Sequence, residues 1–446
     1  MRRLGVVTMA AVGLATSATG QTPAGGAGLA IPPASAELST ADVAAWSLSP
    51  AAAAAAAAAD AASVDPVAHG RYLATAGNCG DCHTNPGGAA YAGARPIQTP
   101  FGVIYSANIT PDPETGIGGV SPDRFYRAMH TGIGHLGEPL YPAFPYTYFT
   151  HISRRDSDDL RAYLMSLPAV RQAKPANRLP FPLNVRFVMR IWNALYFRPG
   201  SFTPDPAKSE AWNRGAYLVT GPGHCGACHT PKNLLVADKT SQALQGGTLD
   251  NWNALNLTGD LRDGLGAWSA DDVVQFLRTG RNGRASASGN MTEVIYNSTS
   301  RMSEADLRAI AIYLKDLPPS GRPPQTASTD AAALGAGQAI YVDTCAACHR
   351  TLGRGDPGYF PPLGGDAAVQ ARDPTTILRI ILQGARATPT PERPTPLAMP
   401  PFAWKLTDQQ VADVTSYVRA SWGNAASPVS ASQVGRLRRR LHESSP

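Results

Sequence analysis

The chain has 446 residues, 43% of them hydrophobic, and a formal net charge of +6. That length allows about three domains at roughly 150 residues each, and so modest a charge excludes the strongly basic profile of a nucleic-acid binder. Only 7% of the residues are aromatic, so the cores are small or are completed by another apolar body.

The N-terminus, "MRRLGVVTMAAVGLATSATGQ", has a basic start at Arg2 and Arg3, an apolar run from Leu4 to Ala15, and small residues at Ala18 and Gly20. This pattern predicts a signal peptide over residues 1–20, hence an exported protein; the apolar run is too short for a spanning helix. Residues 21–64 are rich in Ala, Pro and Ser, with an unbroken alanine run from Ala51 to Ala59. They have no periodic apolar face and are expected to be a linker.

Six cysteines in an exported chain first raise disulfides. Their spacing argues for something else: "CGDCH" (Cys79, Cys82, His83), "CGACH" (Cys225, Cys228, His229) and "CAACH" (Cys345, Cys348, His349) use every cysteine. This is the attachment pattern of c-type haem. Positions i and i+3 share a helix face, so the two thiols reach the two vinyl groups of one haem. The next residue sets an imidazole under the iron. A structural zinc site would need further Cys or His ligands in each unit. Three covalently bound haem c groups are therefore expected, and they supply the missing apolar body.

The chain repeats a helical unit three times. Each motif follows a short helical segment ("HGRYLATAGN", "NRGAYLVTGPGH", "GAGQAIYVDT"). A loop-rich stretch leads to an amphipathic helix ("SPDRFYRAMHTG", "SADDVVQFLRTG", "PTTILRIILQG"). A final helix closes each unit ("DLRAYLMSLP", "DLRAIAIYLKDLP", "QQVADVTSYVRASW"). The predicted fold class is all-α: three tandem cytochrome c-type haem domains with loop-rich connections. Their expected bounds are 65–170, 205–318 and 330–425. Residues 171–204 form an inter-domain segment and 426–446 a basic C-terminal tail.

The sixth iron position is commonly filled by Met. The loop before the last helix offers Met399, in "LAMPPF", to the third haem and Met291, in "GNMTEV", to the second. Met302 competes but abuts the final helix. In the first unit, counting back from "DLRA" puts Phe144 of "LYPAFPYTYF" opposite Met291, since each stands 15 residues before its Asp. Phe cannot bind iron. Met129 and Met165 read as core residues and His130 as a solvated one. His135, His151 and an iron without a sixth ligand remain open.

Two further stretches bear on partners. "LNVRFVMRIWNALYF", Leu183 to Phe197, is apolar with Arg186 and Arg190 one turn apart; it packs between domains, lies in a membrane interface or docks on a partner. "VGRLRRRLHESSP" suits anionic lipid or an acidic partner, or is a solvated end. "GIGHLG" lacks the strand and helix that a dinucleotide loop requires. "NIT", "NLT" and "NST" match glycan acceptors and carry little weight. No nucleophile–base set is visible, so no substrate chemistry is expected.

From about residue 66 to 436 the chain resembles the three-haem cytochrome c subunits of membrane-bound bacterial periplasmic dehydrogenases. The matching stretches include "NITPDPETGIG", "LYPAFPY", "EAWNRGAYLVTGPGHCGACHTPKN", "YLKDLP" and "SYVRASWGN". The resemblance implies an electron-transfer subunit on the periplasmic side of the inner membrane. It implies a flavin-, molybdenum- or quinone-cofactor-dependent catalytic subunit as donor, and ubiquinone or a terminal oxidase as acceptor. Phe144 looks more like the flavin- or molybdenum-dependent branches. The rivals are a peroxidase-like haem enzyme using an open first haem and a free-standing multihaem carrier.

Overall fold

The computed structural model describes residues 65–390 and 394–443. The expected signal peptide and linker lie outside the described residues. In the first unit, α1 (Pro66–Ala76) leads to α2 (Cys79–His83), the hairpin β1 (Pro96–Thr99) and β2 (Gly102–Tyr105), then α3 (Pro122–Thr131), α4 (Tyr146–Phe149) and α5 (Arg154–Met165). After α6 (Val188–Tyr196) the order recurs as α7 (Glu210–Thr220), α8 (Gly226–His229), the hairpin β3 (Gln245–Leu249) and β4 (Trp252–Asn256), α9 (Ala270–Thr279), α10 (Asn290–Asn297) and α11 (Glu304–Asp316). The third stretch has α12 (Ala331–Thr344), α13 (Ala346–His349), α14 (Ala367–Gln370) and α15 (Thr375–Gln383). It continues with the short β5 (Ala385–Arg386) and β6 (Ala398–Met399), then α16 (Asp408–Ala420) and α17 (Ala431–Glu443).

The helices start where the sequence supplies a cap. Ser121, Ser153, Ser269, Ser303 and Thr407 each accept the main-chain N–H three residues on, satisfying a donor the helix leaves unpaired. Gly132 and Gly280 end α3 and α9 in the left-handed region, at φ 66° and 75°. Ile133 then pairs with Pro139 and Arg281 with Ser286, so α3 and α9 are each followed by a short reversal, while β5 pairs with β6 across a longer connection.

The first helix of each unit crosses the last: α1 on α5, α7 on α11, α12 on α16. Glycine permits the crossing. A Cβ on Gly70 would overlap the carbonyl of Asp159 and the Cβ of Tyr163. Gly215 meets Ala309 and Tyr313 in the same way, and Gly337 meets Asp413 and Tyr417. These contacts fix a register that the sequence reading misplaced. Asp159 matches Ala309, and Asp156, not Asp159, matches Asp306. The two "DLRA" strings are three residues out of step, because α5 and α11 align by their caps Ser153 and Ser303. Counted back from the caps, Tyr141 rather than Phe144 stands where Met291 stands. Neither is a methionine.

The first two units meet across a seam with reciprocal contacts. The Tyr72 hydroxyl on α1 donates to Asp306 on α11 at 2.6 Å, and the Tyr217 hydroxyl on α7 donates to Asp156 on α5. The Ser303 and Ser153 amides donate to the same two hydroxyls. Arg214 grips Asp306 through two bonds of 2.8 Å. Its counterpart His69 holds Asp159 at 2.8 Å.

Helix α6 has two faces. Met189 and Trp192 are buried with Tyr146, Phe197 and Ala237. Trp192 Nε1 donates to Leu235 O, and Tyr146 Oη donates to Asn193. This face packs between the first and second units. Phe187, Ile191 and Leu195 on the other face are 62%, 55% and 62% exposed. No helix among the described residues is long and apolar enough to cross a membrane. The basic C-terminus forms a docked helix rather than a solvated end. Val434, Leu437 and Leu441 of α17 are buried against Leu378, Leu382 and Val411. Arg438 donates to Asp408, Ala403 O and Leu406 O, and Arg436 and Arg439 face solvent. The 3.6-residue apolar period within the arginine run is what docks it.

The Arg214–Asp306 pair makes the seam sensitive to acid. Burial pushes the Asp306 carboxyl up, but hydrogen bonds from Arg214 and Tyr72 outweigh it and the net shift is downward. A carboxylate with a lowered folded pKa contributes stability above its unfolded pKa and loses that contribution as pH falls through the folded one. Arg214→Gln is expected to cost about 2 kcal/mol at neutral pH. That is less than for a fully buried pair, because Arg214 keeps 33% of its side chain exposed. Thermal unfolding from pH 7 to 3 checks this: the gap between variant and parent should narrow below about pH 4.

Candidate functional site

No disulfide joins the six cysteines, in keeping with the attachment pattern of their spacing. Cys79 and Cys82 lie on α2 with His83. Cys225 and Cys345 directly precede α8 and α13, which carry Cys228, His229, Cys348 and His349. In each motif the short helix puts both sulfurs on one face. Burial pushes Cys79 and Cys225 up to about 12 and Cys82 and Cys345 up to about 11; Cys228 also rises. Such surroundings are the opposite of those that activate a cysteine nucleophile.

The histidines share one geometry. His83 Nδ1 is 2.7 Å from Ala107 O, His229 Nδ1 is 2.6 Å from Leu255 O, and His349 Nδ1 is 3.1 Å from Pro361 O. A carbonyl oxygen only accepts, so Nδ1 carries the hydrogen and Nε2 keeps its lone pair. Burial lowers the pKa of all three below the ordinary 6.5. A neutral imidazole with Nδ1–H held by a carbonyl has the oriented tautomer of a metal ligand.

Two of those carbonyls are set by turns that the sequence reading passed over. Ala107 and Leu255 directly precede the "NIT" and "NLT" strings. Asn108 Oδ1 accepts from Thr110 N and Oγ1 at 2.9 and 2.7 Å. Asn256 Oδ1 accepts from Thr258 N and Oγ1 at 3.0 and 2.8 Å. Both asparagines are buried. The strings are Asx turns at the end of each hairpin, and they hold the preceding carbonyl toward the histidine. Their recurrence downstream of two CxxCH motifs was the available signal. The third unit reaches its carbonyl within 12 residues, against 24 and 26 in the others.

The other sequence candidates fall into distinct surroundings. Met291 is half-buried in the first turn of α10. Met399 is half-buried in β6, opposite Ala385. Met302 is buried in the second-unit core with Trp268, Leu307 and Ile310. Met129 is buried in the first-unit core. Phe144 packs beside Phe149, ring centroids 5.3 Å apart. His130 stacks on Tyr126. His135 is exposed between Ile133 and Pro139. His151 Nδ1 is bonded to Thr220 O of the second unit at 2.8 Å. His69, Asp156 and Asp159 form a compact cluster, but Tyr217 and His69 already bind its carboxylates.

The fit to haem is chemical. Paired free thiols, an imidazole with Nε2 available and an apolar surround occur at each motif, and such a group supplies one-electron iron chemistry. Residues 334–422 match the cytochrome c family. The protein is thus a c-type cytochrome carrying covalently bound haem c. The chain is 42% identical over 395 residues to the gluconate 2-dehydrogenase cytochrome c subunit of Pantoea cypripedii, covering 84% of this chain and 89% of that one. It is 41% identical over 392 residues to the cytochrome c subunit of the quinone alcohol dehydrogenase of Komagataeibacter europaeus (83% and 84%). It is 35% identical over 404 residues to the fructose dehydrogenase cytochrome subunit of Gluconobacter japonicus (83% and 82%). It belongs to the cytochrome c subunits of dehydrogenase complexes, and its function is electron transfer.

Asn256→Ala is expected to free the Leu255 carbonyl and weaken its hold on His229. A less basic imidazole stabilises ferric iron less. Potentiometric titration of the holoprotein should show one haem component moved to higher potential, with the haem content unchanged.

Proposed function

We propose that each CxxCH segment carries one haem, with His83, His229 and His349 as proximal ligands and Met291 and Met399 as distal ligands of the second and third. The three haems relay electrons from a dehydrogenase catalytic subunit to membrane ubiquinone or a terminal oxidase, on the periplasmic side of a bacterial inner membrane. The observation that carries this is the threefold Nδ1–H to carbonyl bond, which prepares three imidazoles alike. The chain's own part is to hold the haems, exclude water and fix their separation. Oxidation of the substrate belongs to the partner. The relatives are named for enzymes of gluconate, alcohol and fructose; for this chain a flavin- or molybdenum-dependent partner is the expectation from the resemblance.

The pyridine haemochrome assay on purified protein is expected to give three haems per chain. Met291→Ala and Met399→Ala should each remove one Met–iron band near the red end of the oxidised spectrum, while the wild type shows no more than two. A count of one or two haems would sink the relay.

A second reading concerns the first haem. His135 stands exposed at a loop tip and Phe144 serves as packing, which supports an iron open on its distal side; the alternative ligand is His151, whose Nδ1 is held by Thr220 O in the same way as the proximal histidines and whose Nε2 is therefore the free nitrogen. Carbon monoxide binding to about one haem in three of the reduced protein would favour small-molecule chemistry there; no binding would exclude it.

Membrane attachment is proposed through the outer face of α6. Phe187, Ile191 and Leu195 project from one side, Phe181 is 82% exposed nearby, and Arg190 and Arg198 flank them in solvent. Apolar side chains edged by cations suit an interfacial helix on anionic lipid. Replacing Phe187, Ile191 and Leu195 together by Glu should abolish flotation with anionic vesicles and leave haem content intact. Failure of the parent protein to float would refute the contact.

A further inference from the structure

The seam between the first two CxxCH segments contains a charged bridge that haem attachment does not require. Arg95 donates through Nη1 to Asp81 O at 2.9 Å and to Asp81 Oδ1 at 3.0 Å. Its Nη2 lies 3.7 Å from Glu293 Oε2. Asp81 is inside the first motif. Glu293 is on α10 of the second unit, two residues beyond Met291. Asn297 on the same helix approaches Asp81 Oδ1 at 3.5 Å, and α10 rests on α2.

The opposite side of the seam mirrors this placement with different chemistry. The Tyr148 hydroxyl on α4 lies over Gly226 of the second motif, where a Cβ would not fit, and donates to Asp238 at 2.6 Å. Each unit's short distal helix therefore covers the other unit's attachment segment. On the α10 side Arg95 lies between two carboxylates; on the α4 side Lys232 pairs with Asp238 and reaches Gly226 O at 3.4 Å.

We propose that Arg95 is a positioning residue of the electron relay. It pins α10 against α2 and sets a fixed positive charge at the edge shared by the first two haem sites. The inference rests on the three-haem reading. In that reading each iron moves between ferric and ferrous by one electron, taken from the dehydrogenase and given up to the quinone or oxidase. Ferric iron carries one more positive charge than ferrous, so a nearby cation favours the reduced form. Arg95 keeps only 28% of its side chain exposed, which limits screening by water and salt. Without it, Asp81 and Glu293 face each other across the seam as like charges, and both irons feel the uncompensated negative charge. Arg95 and Asp81 belong to the first unit, and the third unit approaches the bridge at Glu293, which lines a cavity with Arg386, Ala387, Thr388 and Pro389; the prediction for the third component is therefore read from Arg95→Gln.

Potentiometric titration of the full-length holoprotein, followed in the haem bands, tests this. Arg95→Gln should lower the midpoints of two components and leave the third in place. Arg95→Lys keeps the charge and should keep the potentials close to the parent. Glu293→Gln removes a negative charge and should raise them. Unchanged potentials in Arg95→Gln, or shifts of the same sign in Arg95→Gln and Glu293→Gln, overturn the proposal; the latter marks a packing effect alone. If Arg95→Gln does not retain haem, Glu293→Gln decides, and no rise there overturns it. The haem count of the parent protein separates the fate of the three-haem reading from that of Arg95.

Discussion

A hydrogen bond from imidazole Nδ1 to a main-chain carbonyl governs the chemistry of this molecule. It chooses the tautomer, aims Nε2 and fixes the ring against the short helix that bears the thiols. The loops around each motif are explained by that requirement. The hairpins, the Asx turns at Asn108 and Asn256, and the tight path to Pro361 all end by presenting an oxygen at the right place. A turn that merely reversed the chain could be built in many ways; one that must deliver a carbonyl to a ring some two dozen residues earlier leaves few.

The glycine crossings set the scale on which those sites are assembled. Because Gly70, Gly215 and Gly337 let helix backbones touch, each attachment motif emerges from a helix already locked to the unit's last helix. The first two such pairs then exchange contacts, Tyr72 to Asp306 and Tyr217 to Asp156. Neither pair can tilt without breaking a hydrogen bond in the other. In the relay proposed above that rigidity would matter, because electron tunnelling between cofactors depends on their separation.

Much of this was legible in the sequence. The helices announced themselves through caps and a 3.6-residue apolar period, and the CxxCH strings announced the chemistry, because covalent attachment tolerates little variation in spacing. What escaped was set by tertiary contact. The "NIT" and "NLT" strings were set aside as glycan-acceptor matches of little weight, yet their asparagines are buried, since the partner of an Asx turn is local while its purpose lies across the fold. The "DLRA" match misled because identical strings fall at different heights on α5 and α11; helix caps, which fix the starting point physically, were the better ruler. For α6 the apolar composition left packing, membrane and docking roles open, and it could not say that Met189 and Trp192 go inside while Phe187, Ile191 and Leu195 stay outside. The arginine-rich C-terminus hid Val434, Leu437 and Leu441 behind its charge, and the docked helix emerged only once its apolar stripe met Leu378 and Val411.

The third histidine closes its bond to Pro361 over a loop half as long as those of the first two. Loop-closure entropy grows with the logarithm of length, so halving the loop saves about 0.6 kcal/mol. The stretch before that carbonyl has Pro357 but also Gly353, Gly355 and Gly358 at positive φ, so the saving lies in its length. The last-synthesised site is consequently the one that asks least of the rest of the chain. Its imidazole can find its orientation from local sequence while the two upstream sites still wait for hairpins and for each other.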